Sequence, residues 1–390
     1  MFVVGEKEYH EKDASFLADE MNIKPVHLHE MGRSINPLTD YKAYQKIKTI
    51  IKEFKPDIVH THAAKSGALG RMAAKAMNVP VIMHTYHGHV FHSYFGKMKS
   101  QAYVQIERHL ARKSDAVIAI SDLQQKELLH DYKIAPADKF YTIPLGFNLE
   151  KFQKDQPAKR RSFRNEFNLK DDEIAIGIIG RLVPIKHHDL FLEAISFVLN
   201  NSAKKIKAFI IGDGETHQAL EAKAAALGIS FTNNSSDASA NLVFTSWRSD
   251  VDVINAGLDI VTLTSFNEGT PVSLIEAQAA NKPIVSTRVG GIQDIVSEEK
   301  TALLSAINDN EAFCKNLLTL VDDDVLRKQL GQNSAQLVLN KFSYTRLVND
   351  MGNLYNKLLF AHENKLAMAN KNYRLPEFKF ADRPSYAISP

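Results

Sequence analysis

The chain has 390 residues, which is too long for one ordinary domain and suits two. Hydrophobic residues make up 44% and charged residues 24% of the sequence, a composition that excludes a wholly disordered chain. The formal charge of +3 is too small for a dedicated nucleic-acid binder, so no nucleic-acid partner is expected. The single cysteine, Cys314, excludes an intramolecular disulfide and a cysteine-based zinc cage.

The distribution of charge argues against targeting to or across a membrane. Charged residues follow residues 1–5 at once, unlike a signal peptide, and no stretch approaches the ~20 apolar residues of a membrane span. One cysteine also suits a reducing compartment. The sequence therefore predicts a cytoplasmic protein.

Short β-branched runs alternate with longer helical patterns from end to end. Most of these runs are apolar on both faces, which is typical of parallel strands covered by helices on both sides. Right-handed βαβ units, and hence an α/β fold, are expected. The predicted strands cover residues 1–4, 25–28, 57–61, 79–85, 116–120, 174–179, 207–211, 242–244, 259–263 and 283–286.

A basic run near the middle of the chain suggests a division into two domains. Residues 151–164 contain Pro157 and several lysines and arginines against the lone Asp155, and we interpret these charges as solvated surface. The predicted organisation is an N-terminal domain over 1–150, a linker over 151–165 and a C-terminal domain over 166–342. Helices over 343–369 are expected to pack back on the N-terminal domain, and residues 370–390 to be loosely ordered.

The turn after the predicted strand 174–179 contains two cations. Gly180 permits a sharp turn, Arg181 follows it, and Pro184 suits the first turn of a helix near Lys186. Two cations beside free helix amides would bind a dianion such as a diphosphate. The alternative is an exposed arginine and lysine on an ordinary loop.

The turn after the predicted strand 259–263 combines helix-start signals with two carboxylates. Thr270 and Pro271 are expected to be the N-cap and first residue of a helix. Glu268 precedes that helix and Glu276 lies within it. Carboxylates accept hydrogen bonds from hydroxyl groups, so a ligand that carries both phosphates and sugars would satisfy both turns.

Two glycine-containing turns and a group of histidines have open interpretations. Gly290-Gly291 permits close approach of a ligand or forms a simple tight turn, and for Gly212-Asp213-Gly214 we favour the plain turn. The histidines lack a carboxylate or cysteine at a zinc-like spacing, so a metal site is not favoured. His87, beside Gly88, is the best candidate site residue among His60, His62, His84, His87, His89 and His92.

Together these segments form a pattern that runs from about residue 3 to residue 359. The chain resembles the nucleotide-sugar-dependent retaining glycosyltransferases of family 4, and within them the bacterial enzymes of capsule, O-antigen and lipid-linked glycan synthesis. The spacing of Glu268 and Glu276 is the most specific mark. The other matching segments are PDIVHTH at 56–62, HTYHG at 84–88, AIS at 119–121, IPLG at 143–146, Gly180-Arg181 with Lys186, GDG at 212–214 and Gly290-Gly291.

This resemblance implies a GT-B fold, in which two Rossmann-like domains with parallel sheets face each other across a cleft, with the donor in the C-terminal domain and the acceptor in the N-terminal one. Arg181 and Lys186 match the residues that bind and stabilise the leaving diphosphate. Glu268 matches the carboxylate that holds the donor sugar, and His87 a histidine that reaches that sugar. Further donor-binding positions are Gly180, Trp247, Arg248, Asn267, Gly269, Thr270, Pro271, Leu274 and Glu276.

The resemblance also implies the partners and the type of reaction. The co-substrate would be a nucleotide-diphosphate sugar, with uridine expected from its frequency in the family, and the acceptor a glycan or lipid-linked glycan. No metal or other cofactor is expected, because positioned cations can stabilise the leaving group. Aromatic and basic residues alternate over 84–103, which favours either peripheral membrane contact or ordinary helix packing.

Two rival functions share this architecture. One is a nucleotide-sugar 2-epimerase, which the glutamate spacing disfavours, and the other is a nucleotide-sugar binder without turnover. Family members also begin with a strand, a glycine-rich turn and a helix that have no counterpart before Phe2. We therefore expect a sequence truncated at its N-terminus, with a gap in the first sheet and little activity.

Overall fold

The computed structural model describes residues 1–6, 22–32, 34–88, 97–234, 237, 239–332 and 334–369. The chain divides into two compact units, with Met1–Thr85, Gly96–Val117 and Met351–Pro390 in the first and Tyr86–Phe95 and Ile118–Asp350 in the second. The first unit thus combines segments before residue 118 with the end of the last helix, and the predicted boundary at residue 150 stays a prediction.

The N-terminal strands form two separate parallel sheets. β1 (Val3–Gly5) pairs with β2 (Val26–Leu28), with Val3 opposite Val26. The second sheet has the order β3 (Ile58–His62), β4 (Val81–Tyr86), β5 (Ala116–Ala119) and β6 (Phe140–Thr142), with Ile58 opposite Val81.

One helix packs beneath both of these sheets. The side chain of Asn36 accepts hydrogen bonds from the backbone amides of Leu38 and Thr39 at the start of α1 (Pro37–Phe54). Ile47 of this helix packs against one apolar cluster that contains Leu28 and another that contains Ile82. The first unit also contains α2 (Ala64–Ala76) and α3 (Lys97–Lys113).

The second unit is built on a seven-stranded sheet with the order β13-β12-β11-β7-β8-β10-β9, in which every pair is parallel. Successive side chains of its central strand point to opposite faces of the sheet, where they pack into two separate hydrophobic clusters. Ala175 belongs to one cluster and Ile176 to the other. The strands are β7 (Glu173–Ile179), β8 (Lys205–Ile211), β9 (Phe231–Thr232), β10 (Leu242–Phe244), β11 (Ile260–Leu263), β12 (Ile284–Thr287) and β13 (Ala302–Ser305). The α/β fold with parallel sheets is therefore confirmed.

Helices cover both faces of this sheet, as the apolar strands require. The last helix continues into the first unit, where the Tyr355 hydroxyl contacts His60. The helices are α4 (Asp122–Lys126), α5 (Gln156–Glu166), α6 (His188–Asn201), α7 (His217–Ala226), α8 (Val251–Gly257), α9 (Val272–Ala279), α10 (Asn310–Asp322), α11 (Asp324–Gln332), α12 (Ser334–Phe342) and α13 (Tyr344–Ala369).

The expected linker over 151–165 is not an open linker. A short 3-10 turn, Glu150–Phe152, leads into α5, whose Phe163 is fully buried. Arg160 and Arg164 donate to the carboxylate of Asp259 at 2.7 and 3.3 Å. The interpretation of these two arginines as solvated surface was wrong, because Asp259, a partly buried residue just before a strand, supplies their counter-charge.

No helix among the described residues is both long enough and apolar enough to cross a membrane.

Candidate active site

The candidate site lies at the carboxyl ends of three adjacent strands of the second unit, β7, β11 and β12. In a parallel sheet these ends share one edge, where ligands of open α/β sheets bind. The turn after β7 carries Gly180, Arg181 and Lys186. Residues 264–271 follow β11 and are called the donor loop below. The paired Gly290-Gly291 follows β12.

An ion pair joins the first turn to the donor loop. The ammonium of Lys186 lies 2.6 Å from Oε1 of Glu268, and the two side chains are 22% and 10% exposed. The hydroxyl of Ser265 donates to the same oxygen at 2.5 Å. One carboxylate oxygen is therefore held in place by two donors, in a position screened from most of the solvent.

Backbone contacts fix the same two segments. The amide of Phe266 donates to the carbonyl of Ile185 at 2.9 Å, and the hydroxyl of Thr264 donates to the carbonyl of Lys186 at 2.9 Å. His187 has left-handed backbone angles, φ 49° and ψ 49°, and its ring stacks on that of Phe266. The position of Lys186 therefore depends on the donor loop as well as on its own turn.

The paired glycines after β12 pack directly against the backbone of the donor loop. A Cβ on Gly290 would lie 1.9 Å from the carbonyl oxygen of Glu268, and one on Gly291 would lie 1.9 Å from that of Gly269. The amide of Gly291 donates to the Glu268 carbonyl at 3.1 Å. The glycines therefore permit close approach of this loop, a contact that neither sequence interpretation foresaw.

The glycines of the turn after β8 pack in a similar way against the backbone of the turn after β7. Gly212 has φ +144°, and a Cβ there would lie 1.9 Å from the carbonyl oxygen of Gly180. A Cβ on Gly214 would lie 2.3 Å from the carbonyl oxygen of Leu182. These glycines form more than a plain turn, because their missing side chains let the two backbones touch.

Arg181 is exposed at this edge of the sheet. Within the described part of the chain, no carboxylate lies within ion-pair distance of its guanidinium. A Cβ on the neighbouring Gly180 would lie 3.9 Å from Cε of Lys186, so the turn brings the lysine side chain back towards its own start. The arrangement leaves a charged guanidinium available for an anionic ligand.

The helix after the donor loop begins one residue later than predicted. Pro271 is the N-cap of α9, and no side chain caps this end, so the expectation that Thr270 is the N-cap was wrong. Leu274 is fully buried in the core beneath the helix. Asn267 and Gly269 are exposed, and Thr270 is half-buried.

Glu276 lies on α9 in an apolar setting. Burial is the main cause that raises the pKa of its carboxyl to about 7. The positive charge of Lys151 acts in the opposite direction, and the negative charge of Asp252 raises the pKa slightly further. Such a group changes its hydrogen-bonding character near neutral pH, from an acid that donates to a carboxylate that only accepts.

The loop after β10 contains the two weaker predicted donor contacts. Trp247 is 48% exposed. The guanidinium of Arg248 donates to Asp250 at 2.9 Å and to Glu166 at 3.0 Å, and it lies 5.7 Å over the ring of Phe167. These partners, Asp250 first, raise its pKa well above the ordinary range. Arg248 therefore joins α5 to the start of α8, and its contact with a nucleobase stays a prediction.

The histidines of the first half have separate environments. His87 follows β4 with an exposed side chain, and desolvation lowers the pKa of its ring. His60 contacts Tyr355 Oη at 2.8 Å and Thr85 Oγ1 at 2.7 Å, and His84 contacts Thr61 Oγ1 at 2.9 Å. Across the described ranges, no three His, Cys, Asp or Glu side chains are placed to hold a metal ion.

His89, His92 and the aromatic residues Phe91, Tyr94 and Phe95 lie outside the described residues, as do residues 370–390. The interpretation of residues 84–103 as a membrane contact is therefore not tested by this structure.

Comparison with known proteins agrees with this fold. The architecture is that of the GT-B glycosyltransferases. HepE of Anabaena, solved in complex with UDP, aligns with a TM-score of 0.76 at 18% identity over 91% of this chain and 92% of its own. WaaG, a glycosyltransferase of lipopolysaccharide biosynthesis, aligns with a TM-score of 0.62 at 17% identity over 84% of this chain and 85% of its own.

The sequence comparisons identify the family. Residues 5–151 match the model of "Glycosyltransferase Family 4" and residues 159–337 that of "Glycosyl transferases group 1". The chain therefore belongs to the family 4 glycosyltransferases, as the resemblance implied.

Two curated relatives are similar over most of their length. An Escherichia coli UDP-Gal:alpha-D-GlcNAc-diphosphoundecaprenol alpha-1,3-galactosyltransferase is 28% identical over 88% of this chain and 87% of its own. The capsular polysaccharide biosynthesis glycosyltransferase CapM of Staphylococcus aureus is 25% identical over 87% of both chains.

Proposed function

We propose that the chain transfers a sugar from a UDP-linked donor to a lipid-linked glycan acceptor, with retention of the anomeric configuration, in cell-surface polysaccharide synthesis. The observation that carries this proposal is the Lys186–Glu268 pair at 2.6 Å beside the exposed Arg181. Lys186 and Arg181 supply positive charge for a diphosphate, and Glu268 supplies a carboxylate for sugar hydroxyls. The E. coli relative, whose acceptor is a diphosphoundecaprenol-linked sugar, supports the choice of acceptor class.

The proposed chemistry begins at the donor. The bond between the anomeric carbon and the diphosphate oxygen breaks, and the diphosphate keeps the electron pair. Lys186 and Arg181 stabilise the negative charge as it develops. The acceptor hydroxyl forms the new bond on the same face, and its proton passes to the leaving phosphate.

Other residues orient the substrates in this proposal. Glu268 holds hydroxyls of the donor sugar, and its fixed oxygen keeps the sugar in register with the cations. The Glu276 carboxylate binds the ribose hydroxyls. His87 reaches the donor sugar from the N-terminal half, and His87→Ala should lower kcat while donor affinity is retained. Transfer to a lipid-linked acceptor would occur at the cytoplasmic face of a membrane, with which we propose peripheral contact.

The test uses purified protein with UDP-sugars and a synthetic diphosphate-linked acceptor, and it measures both UDP release and glycosylated product. Glu268→Ala and Lys186→Ala should each lower transfer at least about a hundredfold, because each removes a charged contact from a preorganised site. Lys205→Ala is the matched control, since Lys205 forms an exposed ion pair with Asp172 at the other end of the sheet.

Activity within tenfold of the unmodified protein in both site variants would refute the donor-site assignment. An inverted product would refute retention. Conversion of the UDP-sugar to its 2-epimer without transfer would instead identify the chain as an epimerase.

A further inference from the structure

The three strands that carry the candidate active site also line a polar cavity at their opposite, amino-terminal ends. Glu173 begins β7, Asp259 directly precedes β11, and Lys282 and Pro283 directly precede β12. Together with residues of α5 and α11, these strand ends line a cavity of about 460 Å³. The described residues that line it include none of those assigned to the candidate active site, so a function here would be separate from the donor site.

Two cations share a single backbone acceptor in this cavity. The ammonium of Lys282 donates to the carbonyl of Ala256 at 2.9 Å, and the guanidinium of Arg160 donates to the same oxygen at 3.5 Å. Arg160 also donates to one carboxylate oxygen of Asp259 at 2.7 Å, and Arg164 donates to the other at 3.3 Å. Three cations therefore surround one carboxylate, and both side-chain donors to it in the described part of the chain are arginines.

This arrangement disfavours the charged form of the lysine. Lys282 is half-buried. Burial first, and then the charge of Arg160, lower the pKa of its ammonium to about 8, while Asp259 acts in the opposite direction and Arg164 lowers the pKa slightly further. At pH 7.5 about a quarter of the Lys282 side chains would then be neutral, against about one in a thousand for a lysine with the ordinary pKa. Lys282 therefore presents a nucleophilic amine near neutral pH.

The other charged groups of the cavity indicate which reagent would meet this amine. Arg327 and Lys328 of α11 line the cavity, and so do Asp171 and Glu173 at the start of β7. These two cations and two carboxylates cancel in formal charge. The cluster around Asp259 then leaves a surplus of positive charge, which attracts an anionic reagent and repels a cationic one.

We propose that Lys282 is a site of Nε-acylation by a small acyl phosphate. The phosphate group gives the surplus cations a partner, and phosphate is the leaving group of the reaction. The neutral amine attacks the acyl carbon, a nitrogen–carbon bond forms, and the carbon–oxygen bond to phosphate breaks with its electron pair on the phosphate. The amine proton passes to the departing phosphate, so the products are an amide and hydrogen phosphate. The amide keeps one N–H for the Ala256 carbonyl and removes the charge that faces the arginines.

The test incubates the folded, unmodified protein with acetyl phosphate at pH 7.5 and follows the acetylation of individual lysines by peptide mass spectrometry. Lys205 is the internal control, because its exposed ammonium pairs with Asp172 at 2.7 Å and that contact raises its pKa. Lys282 should react at least about tenfold faster than Lys205, since more of its amine is neutral. The same chain unfolded in guanidinium should lose this difference.

The pH dependence and a pair of variants test the cause of this reactivity. The rate at Lys282 should level off above about pH 9, whereas the rate at Lys205 should keep rising to about pH 10. Arg160→Gln removes the charge that shares the Ala256 carbonyl, and it should slow acetylation of Lys282 about threefold at pH 7.5. Arg161→Gln is the matched control, because Arg161 is an exposed neighbour on α5 that does not line the cavity, and it should leave the rate unchanged.

A second reagent tests the role of the phosphate. Acetic anhydride transfers the same acetyl group without a phosphate, so the preference for Lys282 over Lys205 should fall at least about twofold with it. An equal preference with both reagents would refute selection of acyl phosphates by the cavity.

Three further results would overturn the proposal. The first is acetylation of Lys282 no faster than that of Lys205 in the folded protein. The second is a rate at Lys282 that keeps rising to pH 10, as expected of an ordinary lysine. The third is equal slowing by Arg160→Gln and Arg161→Gln, because the contact at the Ala256 carbonyl would then have no part in the reactivity. None of these readouts depends on transferase activity, so their failure would leave the proposed function untouched.

Discussion

The imidazole of His187 lies nearly flat on the ring of Phe266, with the ring centroids 4.1 Å apart and the planes 17° from parallel. His187 belongs to the turn that carries Lys186, and Phe266 belongs to the donor loop that carries Glu268. Burial lowers the pKa of His187, which favours the neutral ring in this stack. The left-handed backbone of His187 costs about 1–2 kcal/mol in a residue other than glycine, so the stack is kept at some cost to stability.

We expect His187→Ala to lower kcat about fivefold to tenfold and to change donor affinity little. The reason is that an aromatic stack contributes about 0.5–1.5 kcal/mol and here sets the position of Lys186 rather than contacting the nucleotide. His187→Phe keeps the stack without the imidazole and should retain most of the rate. Steady-state kinetics with a separate measurement of UDP binding check this, and equal rates for the two variants would contradict a positioning role.

The Glu276 carboxyl should make nucleotide binding depend on pH. Burial raises its pKa to about 7 in the free protein. The group is therefore protonated below that pH, and above it is a carboxylate that accepts hydrogen bonds on both oxygens. Because ribose hydroxyls need acceptors, UDP affinity should rise between pH 6 and pH 8. Calorimetric titration at both values measures the change. Glu276→Gln should remove the part due to this residue, and an identical pH response in that variant would exclude Glu276 as its source.

His188 should make the fold sensitive to acid. Its side chain is 2% exposed and, within the described ranges, neither ring nitrogen has a hydrogen-bond partner. Burial, with smaller effects of Lys186 and His187, lowers its pKa to about 4, below the value of 6.5 expected for the unfolded chain. The unfolded state therefore binds the proton more readily, and stability is lost as the pH falls from 6.5 towards 4, by about 3 kcal/mol in all.

His188→Leu should reduce this loss, because leucine cannot bind a proton. Thermal melts at pH 7 and pH 4.5 compare the two proteins. The fall in melting temperature between these values should be smaller in the variant, and a fall equal to that of the unmodified protein would exclude His188 as a main cause.

Metal removal is expected to leave transfer largely intact. In the proposed site Lys186 and Arg181 supply the positive charge that a divalent ion would otherwise provide. Assays after treatment with a chelator measure this directly. Complete loss of transfer that Mg²⁺ or Mn²⁺ restores would show that these side chains do not suffice.

The sequence pattern predicts the parallel sheets well, because buried parallel strands leave a clear signature of apolar runs. It misses short strands such as Phe140–Thr142 and Ala302–Ser305, which end in a polar residue and so do not form the wholly apolar run that marks Leu242–Phe244. It also misjudges Arg160 and Arg164. Their partner, Asp259, lies about a hundred residues away, and charge in a sequence does not reveal a distant counter-charge.

The candidate site shows the same limit. Spacing and residue type suffice to select Lys186 and Glu268, which the fold then joins. They do not reveal that His187 adopts left-handed angles or that Arg248 is held by Glu166 and Asp250, since both follow from contacts between separate elements. Backbone-to-backbone contacts of the glycines are likewise absent from any local pattern.

Those glycine contacts have a consequence for protein engineering. Gly212 touches Gly180, and Gly290 and Gly291 touch Glu268 and Gly269, with no room for a side chain at any of the three. The backbones of the turns after β8 and β12 therefore set the shapes of the turn after β7 and of the donor loop. A donor loop transplanted from a relative with a different sugar preference should keep its shape only when the turns after β7, β8 and β12 are transplanted with it, so these segments form one exchangeable cassette.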